Sequence, residues 1–215
     1  MFAVVTSEKI YLPPGAVMRL PGSWHEYQKL CQLLGDRPSP RIKYRPGEIL
    51  LMSPLPKHGR DVHIISMVVI ALLDKLELPY EAFTPIIMEI AEVSGVEPDY
   101  CFYIDNWAAV AGKDRINWGV DPSPDLAIEI DVTSYTDIND YLPYKVPEVW
   151  LFKRNQLFIH HLEGKEYTLK PISKYFPNIN VLDIVHNTLQ KARESNASIA
   201  IRELRQKLAT KKDAP

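Results

Sequence analysis

Two cysteines, nine glycines and no long apolar run in 215 residues exclude several kinds of function before any motif is considered. Cys31 and Cys101 are far apart, so there is no CxxC pair to hold zinc, and a disulfide scaffold is not expected. A reducing, cytoplasmic setting fits this usage. The glycines are scattered and build no phosphate-cradling loop, and there is no nucleophile elbow, so nucleotide hydrolysis and serine-hydrolase chemistry lack support. The longest apolar run, Ile64 to Leu73, is broken by Ser66 and falls well short of the ~20 residues that span a bilayer. No membrane or targeting segment is therefore expected. Charge of one sign is also missing: 25 Lys and Arg against 27 Asp and Glu leave a net charge of −2. Any nucleic-acid contact would need a local basic patch.

The remaining composition, 46% hydrophobic and 24% charged, is ordinary for a globular α/β domain of this length. Ser23 is placed to cap a short amphipathic helix over Trp24 to Leu34, closed by Gly35. RIKYRPGEILLMSP reads as a hairpin, with Arg41 to Tyr44 and Glu48 to Met52 flanking a turn at Pro46-Gly47. From about His58 to Leu78 apolar residues return at three- and four-residue steps (Val62, Ile65, Val69, Leu72, Leu73, Leu76), which predicts the longest helix. Pro79 stops it and opens extended segments near Tyr80 to Ala91 and Val96 to Ile104. Further strands are predicted at 125–133, Glu148 to Phe152, Gln156 to His161 and Tyr167 to Leu169, and helices near Val181 to Arg193 and Ile199 to Leu208. This order describes one domain with a core over about 22–190 and a helical C-terminal tail over 191–215.

The chemistry concentrates in PDLAIEIDVTS, residues 124–134, where Leu126, Ile128, Ile130 and Val132 alternate with Asp125, Ala127, Glu129 and Asp131. Glu129 and Asp131 would lie roughly 7 Å apart on one strand face. Two arrangements relieve their repulsion. The face is solvated or paired with an Arg or Lys from another element, or it holds a divalent cation, because hard ions such as Mg²⁺ take carboxylate oxygens. GVEPDYCFYI sets Asp99 directly after Pro98 at the head of another strand, a position proline tolerates and from which Asp99 would meet Glu129 across a sheet.

A Pro-Asp at the head of one strand and Glu-x-(Asp/Lys) inside the next resembles the PD-(D/E)XK nuclease superfamily. More closely, WHEYQKL, PGEILLMSPLPKHGR, GVEPDYCFYI, PSPDLAIEIDVTS, VPEVW and SKYFPNINV, in this order from about Trp24 to Leu189, resemble a large bacterial family, abundant in cyanobacteria, described as restriction endonucleases and of unknown function. The resemblance implies a restriction-endonuclease-like α/β core, a mixed sheet with helices on both sides, and a hydrolase cutting DNA with Mg²⁺ or Mn²⁺. It implies Asp99 and Glu129 as metal-holding catalytic acids, the Ile130 carbonyl as a further ligand, Glu48 as an acid completing the shell, and His58 as a group for phosphate or water. Metal-bound water is more acidic than bulk water, and the ion offsets charge growing on the phosphoryl oxygens.

The superfamily lysine belongs two residues after Glu129, where this chain carries Asp131 in the catalytic set. Many members of the family resembled supply a lysine from the following helix instead, but YTDINDYLPY, residues 135–144, contains none; Asp137 or Asp140 falls near its place. Lys145 is the nearest substitute, at a position resembling the family's loop glycine. A nuclease scaffold that has lost its chemistry and serves in binding is therefore the alternative to an active enzyme. A homodimer would suit cutting both strands of a duplex.

Other residues carry less. His63 lies off the His58 face of the long helix, and His160 and His161 point to opposite sides of a strand without suggesting catalysis. Trp150 and Phe152 are expected in the core. Lys191, Arg193, Arg202, Arg205, Lys207, Lys211 and Lys212 form either a solvated helix end or a phosphate contact.

Overall fold

Reciprocal capping starts the first helix. The Ser23 hydroxyl accepts the Glu26 N–H while the Glu26 carboxylate accepts the Ser23 N–H, which satisfies two otherwise orphaned donors. This helix, α1, spans Trp24–Leu34 and is closed by Gly35 at positive φ. The computed structural model describes residues 4–5, 10–35, 40–84, 86–131 and 136–210. Val132, Thr133, Tyr135, Lys211 and Lys212 lie outside these residues.

A two-stranded ribbon, β1 (Val4–Val5) and β2 (Ile10–Tyr11), precedes two larger sheets. The strands that follow are β3 (Val17–Gly22), β4 (Arg41–Arg45), β5 (Gly47–Met52), β6 (Glu81–Phe83), β7 (Met88–Ile90), β8 (Ser94–Val96) and β9 (Tyr100–Tyr103). After them come β10 (Leu126–Asp131), β11 (Glu148–Lys153), β12 (Gln156–Glu163) and β13 (Glu166–Lys170). One sheet has the order β3-β5-β4-β8-β7 and is antiparallel; the other runs β13-β12-β11-β10-β9-β6, with a parallel pair only at β10–β11. The helices are α1, α2 (Pro56–Lys75), α3 (Trp107–Val110), a 3₁₀ turn over Ile138–Tyr144, α4 (Val181–Glu194) and α5 (Ala197–Thr210).

The architecture is thus the expected mixed α/β one, with differences of detail. Each predicted extended segment after α2 divides between the sheets. β7 and β8 pair in one sheet and β6 and β9 in the other, and the chain crosses over at Glu97-Pro98, where the missing N–H of proline costs no ladder bond. β3 is a strand the sequence reading did not include, and it carries Pro21 inside VMRLPG. The C-terminal helices are held down: Ala192, Ala200 and Leu204 join the main core with α2.

That core lies on one face of the six-stranded sheet, where Leu126, Ile128, Ile130, Trp150 and Phe152 meet α2, α4 and α5. Tyr141, Tyr144, Val146 and Met88 cover the opposite face against Ala127 and Val149. β10 is therefore buried on both sides, so its acidic face is not a solvated one. A third cluster packs α1 on the five-stranded sheet through Tyr27, Ile42, Tyr44, Ile49 and Leu51. Since side chains alternate along a strand, facing Ile42 and Tyr44 toward α1 turns Arg41, Lys43 and Arg45 the other way.

Candidate active site between the two sheets

The basic face of β4 meets the acids. Arg41 pairs with Asp99, Lys43 Nζ lies 2.6 Å from Glu129 Oε1, and Arg45 grips Asp140 with Nε–Oδ1 at 2.6 Å and Nη2–Oδ2 at 2.8 Å. Three cations at alternate positions of one strand thus face three acids from the head of β9, from β10 and from the 3₁₀ turn. Asp131, in the lysine's place, pairs with Lys153 of the adjoining strand at 2.9 Å. The acidic face is thus paired with Arg and Lys from other elements.

Asp99 and Glu129 are brought together. The antiparallel register pairs Ile128 with Tyr100, and the Asp99 N–H donates to the Ile128 carbonyl. Asp99 is thus bonded to the main chain of β10 on either side of Glu129, and the two carboxylates are near enough to influence one another electrostatically. Ile130 contributes its N–H, which donates to Asp99 Oδ2 at 2.7 Å. His58, near the start of α2 and 2% exposed, places Nε2 3.0 Å from that oxygen. The Tyr141 hydroxyl donates to Glu129 Oε1 at 2.5 Å.

Burial sets the electrostatics. Asp99 and Glu129 are 1% and 2% exposed and Lys43 is 7% exposed. For Asp99, burial alone would raise the carboxyl, but the His58 imidazole and the Arg41 guanidinium outweigh it and hold the group below its ordinary value. For Lys43, burial pulls the ammonium down, and the Glu129 carboxylate more than reverses this. Burial pushes Glu129 up against the pull of Lys43, and nearby Asp99 adds to the push. Glu97, with Oε1 3.7 Å from Arg41 Nε, is likewise raised by burial.

Residues 24–194 match the family described as "Uma2: Putative restriction endonuclease". The chain belongs to this family. No curated protein is significantly similar to it. A solved crystal structure, described as "a putative nuclease belonging to DUF820 from Anabaena variabilis", is 19% identical, covers 87% of this chain and 99% of its own, and has a TM-score of 0.49.

The other sequence-derived candidates of this Uma2 chain lie around the ladder. Glu48 is bound by Arg19 at 2.7 Å and approached by Arg45 at 3.8 Å, so it stands at the rim, bonded to neither Asp99 nor Glu129. Lys145 is exposed, in left-handed conformation at φ 54°, the backbone geometry that glycine adopts most readily. It belongs to a separate cleft with Trp118 and Tyr144. His63 is exposed, and His161 pairs with Glu148 at 2.9 Å. Trp150 and Phe152 are in the core. Lys191 pairs with Glu203 at 2.9 Å.

Sequence reasoning missed Lys43 and Arg41. The signal available was complementary alternation: RIKYR places cations at every second residue and LAIEID places acids so.

A divalent ion at Asp99 and Glu129 is compatible with the donor chemistry. Mg²⁺ keeps several waters and is commonly held by one or two carboxylates plus substrate phosphate. Among the described residues no three His, Cys, Asp or Glu side chains converge as metal ligands. The two buried carboxylates are the donor set, and the obstacles are the guanidinium already on Asp99 and the Lys43 ammonium on Glu129.

Proposed function

We propose that this chain is a nuclease hydrolysing phosphodiester bonds in DNA, with Asp99, Glu129 and Lys43 as its centre and Mg²⁺ or Mn²⁺ as its cofactor. One observation carries this reading: a lysine, absent from its motif position, stands on β4 with its Nζ 2.6 Å from Glu129, beside an Asp99 bonded to the main chain of β10 on either side of Glu129. Family membership supports the same chemistry. Asp99 and Glu129, with the main chain of Ile130, would hold the ion, which when bound acidifies water and neutralises phosphoryl charge.

The chain's own groups do the rest. Lys43 is held protonated, so it supplies a fixed positive charge to a developing oxyanion or a proton to the leaving oxygen rather than taking one from water. Tyr141 fixes the Glu129 carboxylate through its hydroxyl, and His58 with the Ile130 N–H orients Asp99. The test is plasmid nicking with Mg²⁺ or Mn²⁺. The native chain nicks, Asp99→Ala abolishes nicking, and Lys43→Ala slows it by roughly 10²- to 10⁴-fold, the usual cost of an acid-base group. No nicking with either ion overturns the proposal.

A second reading rests on a different observation, that Asp99, Glu129, Asp131 and Asp140 each already have a cation partner. On this reading the scaffold binds nucleic acid or another partner and cuts nothing. DNA retardation in a gel, unaccompanied by nicking at any metal concentration, is its signature.

A further inference from the structure

Arg41 has no place in the proposed chemistry, yet it occupies the carboxylate that the chemistry needs. Its guanidinium sits on Asp99 Oδ1, while Asp99 Oδ2 is taken by His58 and the Ile130 N–H. The Arg41 side chain is 15% exposed, whereas that of Asp99 is 1% exposed, so Arg41 is the member of this pair that a polyanion reaches from solvent. It also has a second partner in place: Glu97 Oε1 lies 3.7 Å from its Nε. Arg41 and Lys43 face three carboxylates, Glu97, Asp99 and Glu129, with the His58 imidazole beside Asp99. A cation added at Asp99 must therefore displace a guanidinium.

We propose that Arg41 is an internal counter-ion standing in for the metal at Asp99, and that a nucleic-acid phosphate releases it so that metal and substrate load together. This rests on the nuclease reading for the identity of the substrate. A guanidinium pairs with a phosphate in the same two-pronged way as with a carboxylate, so the exchange from Asp99 to a phosphodiester replaces one charge-assisted pair by another. Asp99 is then left as a buried carboxylate without its main cation, the state in which it takes a divalent ion. The two ligands help each other, by the roughly 5- to 150-fold typical of coupled sites.

Calorimetric titration with Mn²⁺, with and without a short DNA duplex, tests this on the full chain. The native protein binds Mn²⁺ weakly alone and at least about 5-fold more tightly with duplex. Arg41→Met, which keeps the bulk and removes the charge, binds Mn²⁺ tightly without duplex and gains little from it. Adding Asp99→Ala to Arg41→Met abolishes the gain. Arg41→Gln repeats the measurement should the Met variant fail to fold, with circular dichroism reporting folding. Equal Mn²⁺ affinity in native and folded Arg41 variants, whether both bind or neither does, overturns the proposal. Tight binding by Arg41→Met with no nicking by any form upholds the counter-ion role and removes the nuclease reading instead.

Discussion

Lys43 Nζ and Glu129 Oε1 are 2.6 Å apart although the residues are separated by 86 positions in the chain, and both are buried. A pair of this kind contributes little net stability compared with apolar residues of similar size, but breaking it leaves a buried charge without its partner. Glu129→Ala should therefore cost about 3–5 kcal/mol. Lys43→Met in the Glu129→Ala background should recover a large part of the loss. Urea unfolding of the two single variants and the double variant measures the coupling; strict additivity would show that the contact does not hold the site together.

Glu148 offers a comparable test away from the site. Its carboxylate accepts from Trp150 Nε1 at 2.5 Å, Ser173 Oγ at 2.6 Å and the Lys174 N–H at 2.6 Å, and it pairs with His161. Each donor stranded in the interior costs about 1–3 kcal/mol. Glu148→Ala should lower the thermal midpoint sharply while leaving the geometry of Asp99 and Glu129 intact, so surviving folded protein should match the native chain in the proposed Mn²⁺ and duplex titrations.

Gly95 in β8 has no room for a side chain. A Cβ there would stand 2.6 Å from Tyr27 Oη and 2.7 Å from Cζ. Tyr27 cannot yield, because its ring is packed against Trp24 and Tyr44 and its hydroxyl donates to Glu89 at 2.9 Å. Gly95→Ala should destabilise by about 1–3 kcal/mol or more, and a smaller second residue at position 27, in Tyr27→Phe, should not relieve it, since the ring carbon also clashes. Denaturation midpoints of the three proteins decide.

His160 in β12 gives a pH signature. Burial holds its imidazole below the ordinary value of 6.5, so the folded chain binds the proton less well than the unfolded one. The contribution of the neutral ring is fully present above 6.5 and is lost as pH falls through the depressed folded value. His160→Gln should flatten stability against pH in this window without altering its alkaline side, as read by thermal unfolding across a pH series.

The elements read from the sequence are those with local causes: the Ser23 cap, the Pro46-Gly47 hairpin, the periodic helix α2, and the alternating strands β10 to β12. Asp99, Glu129 and His58 were legible as a group through family motifs; His58 lies 3.0 Å from Asp99, which is bonded to the main chain on either side of Glu129. Arg41 and Lys43 were not, because their role depends on which strands of two different sheets face each other. The pairings span 58 and 86 residues, and no local window contains both partners. Lys145 drew attention through nearness in sequence, yet its left-handed turn faces another cleft.

β4 carries aliphatic and aromatic residues toward α1 and cations toward the acids. A slip of this strand by one residue would drive Arg41, Lys43 and Arg45 among the aromatic rings and set Ile42 and Tyr44 against bare carboxylates. The acids assigned to chemistry thereby act also as an alignment gauge. A sequence drifting away from catalysis would still be penalised for losing them, and their retention among relatives would not by itself mean that cleavage is retained.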